Sequence, residues 1–328
     1  MIRIIYIRQA PNGGCDGTDT YCQSLFKFFR EDKDCMAERI INYPEIKSHF
    51  FHYYYKQKAL TDAIREADII HINGYTAMGT VQALITSKIL HKTVVYTAHW
   101  HPFNRLNHPF LGKLFFNIFL RNTIKFCATA VTAINNEDYA FFKSFHKNVV
   151  KIPHWYKPEN ININVKKKKN MILFVGRVDD PVKGFEHIYS LPEGMFEIHC
   201  VGKGHFKQRS DITQHINIPT KKLTNLYLQA SVVVVPSKYE AFSYVTLESL
   251  CYGTPVVMSE NVRIADHLNN VAGYSIFKYG DYSDFLKKIN ETIDQKVDTS
   301  KIMKIFDPEK IRLKYKELYL SLNSKQTL

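Results

Sequence analysis

Residues 231–258 read Ser-Val-Val-Val-Val-Pro-Ser-Lys-Tyr-Glu-Ala-Phe-Ser-Tyr-Val-Thr-Leu-Glu-Ser-Leu-Cys-Tyr-Gly-Thr-Pro-Val-Val-Met. Val232 to Val235 is an unbroken β-branched run, the pattern of a strand covered on both faces in a parallel sheet. Pro236 ends it. Ser243 is placed to cap a helix from Tyr244 to Tyr252, and Gly253 followed by Pro255 stops that helix before a second apolar run. Glu240 therefore lies in the loop before the helix and Glu248 within it, with seven residues between them. Backbone N–H groups at Phe242, Ser243, Tyr244 and Val245 stand at the helix start, where they and the helix dipole attract phosphate. Carboxylates on either side are good acceptors for ribose and hexose hydroxyls, so the layout suits a nucleotide-sugar. The spacing alone also fits an ordinary surface helix with a glutamate near its start.

Working outward, strand and helix signals alternate. In the first half, strands are expected at Ile2–Ile7, Asp68–Ile72, Thr93–Thr97 and Ala128–Ala133, with helices at Tyr21–Arg30, Lys58–Glu66, Gly79–Leu90 and Leu111–Lys125. In the second half, strands are expected at Met171–Val175, Glu197–Val201, Ser231–Val235 and Pro255–Met258. Such alternation implies parallel sheets wrapped by helices, with ligands beyond the carboxyl ends of the strands.

The segment from Glu240 to Val257 resembles the signature of family 4 glycosyltransferases of the GT-B fold, and the resemblance extends over nearly the whole chain. It implies an α/β protein with two Rossmann-like parallel-sheet domains facing across a cleft. The expected bounds are 1–157 for an acceptor domain, 158–307 for a nucleotide-sugar domain, and 308–328 for a last helix returning to the first domain. In that family the first glutamate contacts donor-sugar hydroxyls and the second the nucleotide ribose, which assigns those roles to Glu240 and Glu248. Ser243 stands where many members carry glycine.

Further motifs sit at strand ends. Gly176-Arg177, followed by Lys183-Gly184, resembles the family's element that holds the donor diphosphate, so Arg177 and Lys183 inherit the stabilisation of the leaving group; glycine permits close approach and the cations supply charge. Val201-Gly202-Lys203-Gly204 resembles the Gly-x-Gly turn of the nucleotide subdomain. Thr97-Ala98-His99-Trp100 resembles a strand-end motif whose histidine lies beside the transferred sugar, so His99 takes that role, with Trp100 where aspartate is common. The loop 11–21 resembles a Gly-Gly-x-Glu loop, with Gly17 as its second glycine and Asp19 in the glutamate place. Plain readings remain beside these: surface cations, a structural histidine, a flexible turn.

Composition bounds the rest. The chain has 328 residues, enough for two domains, and a formal net charge of +13. Both halves are basic, which favours anionic partners. The run Lys166–Lys169 reads as a solvated connector, and no pattern of interleaved basic and aromatic residues points to nucleic acid. No segment reaches the roughly 18 apolar residues that a transmembrane helix requires. Met1–Arg8 reads as a strand and not a signal peptide, which places the chain in the cytoplasm, with an expected peripheral contact at the inner face of the plasma membrane. The six cysteines show no metal-type pairing. No metal or cofactor is expected; His99 and His101 lack companions for a zinc site.

Leu111, Leu114, Phe115, Ile118 and Phe119 form a helical stripe, with Lys113, Arg121 and Lys125 off it. Such a stripe packs on a sheet or lies on a membrane. The resemblance implies a retaining transferase that moves a sugar, UDP-linked in the commonest case, to a saccharide or lipid-linked saccharide during cell-surface polysaccharide assembly. Two other classes stay open: a GT-B nucleotide-sugar epimerase, and a non-catalytic basic binding subunit.

Overall fold

The computed structural model describes residues 1–9, 17–43, 56–74, 78–99, 101, 113–114, 116–158 and 165–324. They form two compact units: Met1–His154 together with Glu309–Leu328, and Trp155–Pro308.

Unit 1 holds a sheet of β1 (Ile2–Gln9), β2 (Cys35–Tyr43), β3 (Ile69–Gly74), β4 (Thr93–Ala98), β5 (Ala130–Ala133) and β6 (Val149–Lys151), in the order β2-β1-β3-β4-β5-β6. Unit 2 holds β7 (Met171–Val175), β8 (Glu197–Val201), β9 (Ile212–His215), β10 (Val232–Val235), β11 (Val256–Ser259) and β12 (Tyr274–Phe277), ordered β12-β11-β10-β7-β8-β9. Neighbouring strands pair in parallel throughout. Every residue of β3, β4, β5, β10 and β11 is buried, as strands covered by helices on both faces must be. In each sheet the order reverses once, between β1 and β3 in unit 1 and between β7 and β10 in unit 2. Chain crossovers leave those two points in opposite directions, which opens a crevice at the carboxyl ends of the strands.

The fold extends the sequence reading. The strands β2, β6, β9 and β12 were not foreseen. All four are sheet edges, where one-sided pairing leaves polar residues such as Glu38, Arg39, Gln214 and Ser275 in place of a continuous apolar run. The first helix begins at Gly17 and not at Tyr21; the loop before it, Trp100, Leu111 and Phe115 fall outside the described residues.

The stripe through Leu114, Ile118 and Phe119 does not pack on the sheet. Phe116, Leu120 and Ile124 are fully buried in its place, while Leu114, Ile118 and Phe119 are exposed. Phe116–Leu120 is a π-helical turn running into the helix Arg121–Cys127. A turn with wider hydrogen-bond spacing rotates the face that meets the core relative to ordinary helical phase. Asn122 Nδ2 and Thr123 Oγ1 donate to the Ile118 and Phe119 carbonyls at 3.0 and 2.8 Å. Among the described residues, no helix is long and apolar enough to cross a membrane.

The helix Pro308–Asn323 belongs to unit 1 from Glu309 onward. Ile311, Tyr315, Leu318, Tyr319 and Leu322 are its buried face. On its basic side, Arg312 and Lys316 each lie 3.0 Å from Asp32, and Lys316 also pairs with Asp34 at 2.7 Å.

Candidate active site

In unit 2 the charged residues gather at the order reversal. The loop after β7 and the loop after β10 leave adjacent strands, since Phe174 is in register with Val234. They are joined by a bond from Lys238 N to Val182 O of 2.8 Å. Gly184, at φ +68, allows this approach, for a Cβ there would sit 1.8 Å from the Pro236 carbonyl oxygen. On the other side, Gly176 N donates to Val201 O at 2.9 Å and Val178 N to Lys203 O at 3.0 Å. A Cβ on Gly202 would meet Gly176 O at 2.0 Å. Three strand ends are thus laced together by backbone bonds, which leaves side chains to carry the chemistry.

Lys183 Nζ donates to Glu240 Oε1 at 2.6 Å, and Ser237 Oγ donates to the same oxygen at 3.2 Å. Glu240 itself is fixed by a one-residue parallel bridge to Val262, with Arg263 N donating to its carbonyl at 2.9 Å. The pair is partly open to water, with side-chain exposures of 26% and 18%. Glu240 Oε2 has no hydrogen bond among the described residues. Arg177 is more exposed and reaches Asp180, whose other oxygen accepts from Val182 N at 3.0 Å.

Ser243 precedes the helix Tyr244–Cys251 and caps it, its Oγ accepting from Thr246 N at 3.3 Å. Its backbone has φ 95 and ψ 94, in the territory of glycine. Phe242 is buried against Phe306, their rings 5.7 Å apart, and so belongs to the core as a side chain. Tyr244 and Val245 are half-buried in the first helical turn. Glu248 Oε2 accepts from Tyr227 OH at 2.8 Å. Burial pushes the Glu248 carboxyl up to about 7, with the Tyr227 hydrogen bond opposing that rise. Tyr252 packs 5.7 Å from Tyr227, and its hydroxyl bonds that of Tyr156. This tyrosine cluster was not expected; three tyrosines scattered over the sequence carry no local signal.

In unit 1, His99 follows β4 and is buried. Its Nε2 lies 3.2 Å from Asn73 Oδ1, while its Nδ1 is buried with no hydrogen-bond partner. The ring stacks on His154 at 5.3 Å and meets the edge of Tyr21 at 4.7 Å. Burial pulls the His99 imidazole down to about 3, so it is neutral near pH 7. Beneath it lies a buried polar network: His71 Nδ1 to Tyr319 OH at 2.6 Å, His71 Nε2 to Thr97 Oγ1 at 2.7 Å, Thr97 to Thr132, and Tyr21 OH to Tyr315 OH at 2.6 Å. The signal that could have found His71 and Asn73 is their spacing of two in an otherwise apolar strand, which puts both on one face. Gly17 opens the first helix and Asp19 lies within it.

A hollow of about 290 Å³ lies beyond β8, lined by His205, Phe206, Gln208, Arg209, Ile212 and Gln214. None of the expected site residues lines it. Its Arg209 is committed to Asp211 and to the Leu191 carbonyl. No cluster of three or more His, Cys, Asp or Glu suited to a metal occurs among the described residues.

Comparison with known proteins agrees with this architecture. Residues 169–295 match the family model described as Glycosyl transferases group 1. An uncharacterised 41.2 kDa protein in the cps region of Klebsiella pneumoniae is 25% identical over 228 residues, which is 62% of this chain and 63% of that one. The match thus spans less than two thirds of that relative. HepE of Anabaena, solved in complex with UDP and glucose, superposes with a TM-score of 0.74 at 14% identity, over 98% of this chain and 100% of that one. Sucrose-phosphate synthase of Thermosynechococcus elongatus does so with a TM-score of 0.70 at 17% identity, over 99% and 100%.

Proposed function

The chain has the GT-B fold of glycosyltransferases, and from that premise we propose that it moves a sugar, with retention of anomeric configuration, from a UDP-linked donor to a saccharide or lipid-linked saccharide in cell-surface polysaccharide assembly. The observation that carries this reading is the Lys183–Glu240 pair at the order reversal of unit 2, where one carboxylate oxygen is held by Lys183 and Ser237 and the other is left open. An oriented carboxylate with an open oxygen is suited to accept a sugar hydroxyl, and the neighbouring cations suit a diphosphate. Glu240 therefore positions the donor sugar. Lys183 and Arg177 meet the charge that grows on the departing diphosphate, with no metal or cofactor called on. Glu248 serves the ribose, and the N-terminus of the helix Tyr244–Cys251 adds its dipole.

In unit 1, His99, kept neutral by burial, is assigned to the transferred sugar by its resemblance to the family's strand-end histidine. UDP is favoured by the HepE complex, and the polysaccharide setting by the relative in a cps region. A lipid-linked acceptor implies work at the cytoplasmic surface of a bilayer.

The test is a thermal-shift screen of nucleotides and nucleotide-sugars, followed by turnover with the best donor in the presence and absence of EDTA. UDP or a UDP-sugar should raise the melting temperature, since a ligand that binds only the folded state stabilises it in proportion to RT ln(1 + [L]/Kd). Turnover should survive EDTA. If no nucleotide shifts the melt of the wild type, the donor site is misassigned; if EDTA abolishes turnover, the fixed cations do not suffice.

A further inference from the structure

Of the fourteen large apolar side chains that are exposed among the described residues, six fall between Ile85 and Phe126. They sit on two helices that pack against each other, Met78–Ile89 and the run Phe116–Cys127 with the helical residues 113–114 before it. Ile89 is 69% exposed, Phe126 66%, Ile118 51% and Leu114 46%. Ile85 and Ile89 share one helix face. Lys88 stands beside them and lies close enough to Cys127 on the second helix to act on its thiol. Lys113, Arg121 and Lys125 are exposed along the second helix, with Lys125 Nζ 5.6 Å from the Phe126 ring centre.

The charge carried by this stretch of chain is of one sign, while the helix Gln57–Glu66 that packs on Met78–Ile89 brings exposed Asp62 and Glu66 beside Lys58 and Arg65. From Ile69 to Asn136 the chain contains no Asp or Glu, since Asp68 is the last acidic residue before it and Glu137 the first after it. The same stretch carries six cations: Lys88, Lys92, Arg105, Lys113, Arg121 and Lys125. Large apolar side chains are costly to leave in water in such a group, and a basic surplus on the two helices that carry them marks the partner's chemistry. A protein partner or a second copy of this chain would need acidic groups to match. A bilayer of anionic phospholipid supplies both requirements at once, a hydrocarbon boundary for the apolar side chains and a negative headgroup layer for the lysines.

We propose that the face formed by Ile85, Ile89, Leu114, Ile118 and Phe126, ringed by Lys88, Lys113 and Lys125, docks unit 1 on an anionic lipid bilayer. This deepens the reading of a lipid-linked acceptor, yet its test needs no donor or turnover. The full chain is floated with vesicles of phosphatidylcholine alone and of phosphatidylcholine mixed with phosphatidylglycerol. Binding is expected to the mixed vesicles and to weaken with salt.

The variant Ile118→Asp/Phe126→Asp should lose binding while keeping the wild-type melting temperature, because both positions are already in water. Lys88→Gln/Lys125→Gln should weaken binding roughly thirtyfold, the combined effect of two cations near a charged surface. No flotation of the wild type, equal binding of all variants, or a concentration-dependent dimer that Ile118→Asp dissociates would each overturn the proposal. Flotation without any nucleotide-induced thermal shift would uphold docking and reject the transferase reading. The reverse pattern would reject docking alone.

Discussion

Unit 1 and unit 2 use the same architecture, six parallel strands with one reversal of order, and treat the polar groups at their strand ends in opposite ways. Unit 2 collects ions: Arg177, Lys183 and Glu240 sit partly in water, with buried Asp180 paired to Arg177, on loops held by backbone bonds. Unit 1 collects neutral groups: His71, His99, Asn73, Thr97, Tyr21, Tyr315 and Tyr319 are buried and bonded to one another. The first arrangement suits a doubly charged diphosphate. The second suits uncharged hydroxyls and resists ionisation, because a charge placed there would lose its hydration.

Acid should separate the units most strongly. His71 and His99 are each pulled down to about 3 by burial, with the His99 imidazole adding to the effect on His71. Unfolding frees them to bind protons, so unit 1 loses stability as pH falls below about 6.5, by up to about 5 kcal/mol per residue in the limit. Glu248 has the opposite slope. Its folded form holds a proton up to about 7 against 4.5 when exposed, so its contribution is present below 4.5 and is lost as pH rises through about 7. Hydrogen exchange followed by mass spectrometry at about pH 7 and about pH 5 should show protection falling around His71 and His99 in unit 1 and holding or rising in the Glu248 helix Tyr244–Cys251 of unit 2. Uniform loss in both units would break the contrast.

Next in size are the ions of unit 2. Lys183→Ala should lower turnover by about 10²–10³-fold, the usual cost of removing one preorganised charge-stabilising group. Glu240→Gln should do the same while the melting temperature moves little, since the pair is partly solvated. A steady-state assay with matched circular dichroism checks both, and wild-type turnover in either variant would refute the assigned roles.

Tyr319→Phe probes the neutral side. It strips His71 Nδ1 of its 2.6 Å partner in a fully buried site, which should cost about 1–3 kcal/mol by urea denaturation. A neutral result would mean that the network is not what binds the last helix to the sheet.

The smallest effect concerns Ser243. Its φ of 95 is strained for a residue with a Cβ, a cost of about 1–3 kcal/mol, whereas losing its cap to glycine costs only a few tenths. Ser243→Gly should therefore raise stability by about 1 kcal/mol. A fall in stability would show that the hydroxyl's bonds to Thr246 outweigh the strain.

Much of the fold was legible because it rests on local pattern. Val232–Val235, Met171–Val175 and Thr93–Ala98 are short apolar runs of the kind a buried parallel strand favours, and Gly253-Thr254-Pro255 ends a helix by chain geometry. The two glutamates around Ser243 stood out by spacing that an ordinary helix start would fit as well, and the Gly176–Gly184 loop by its resemblance to a family motif; both are sets of residues close in sequence. Four edge strands, β2, β6, β9 and β12, escaped because their pattern reflects a neighbour on one side only.

What the sequence by itself determined, then, was the alternation of strands and helices, the helix that starts at Ser243 and the charged residues beside it. Tertiary structure decided the rest. It set Lys183 against Glu240 across fifty-seven residues of chain, drew Tyr315 and Tyr319 onto His71 and Tyr21, put Ser243 into a glycine conformation, and turned Ile118 outward while Phe116 went in. Each depends on which surface a neighbour from elsewhere in the chain occupies, and residue spacing within one element carries no record of that.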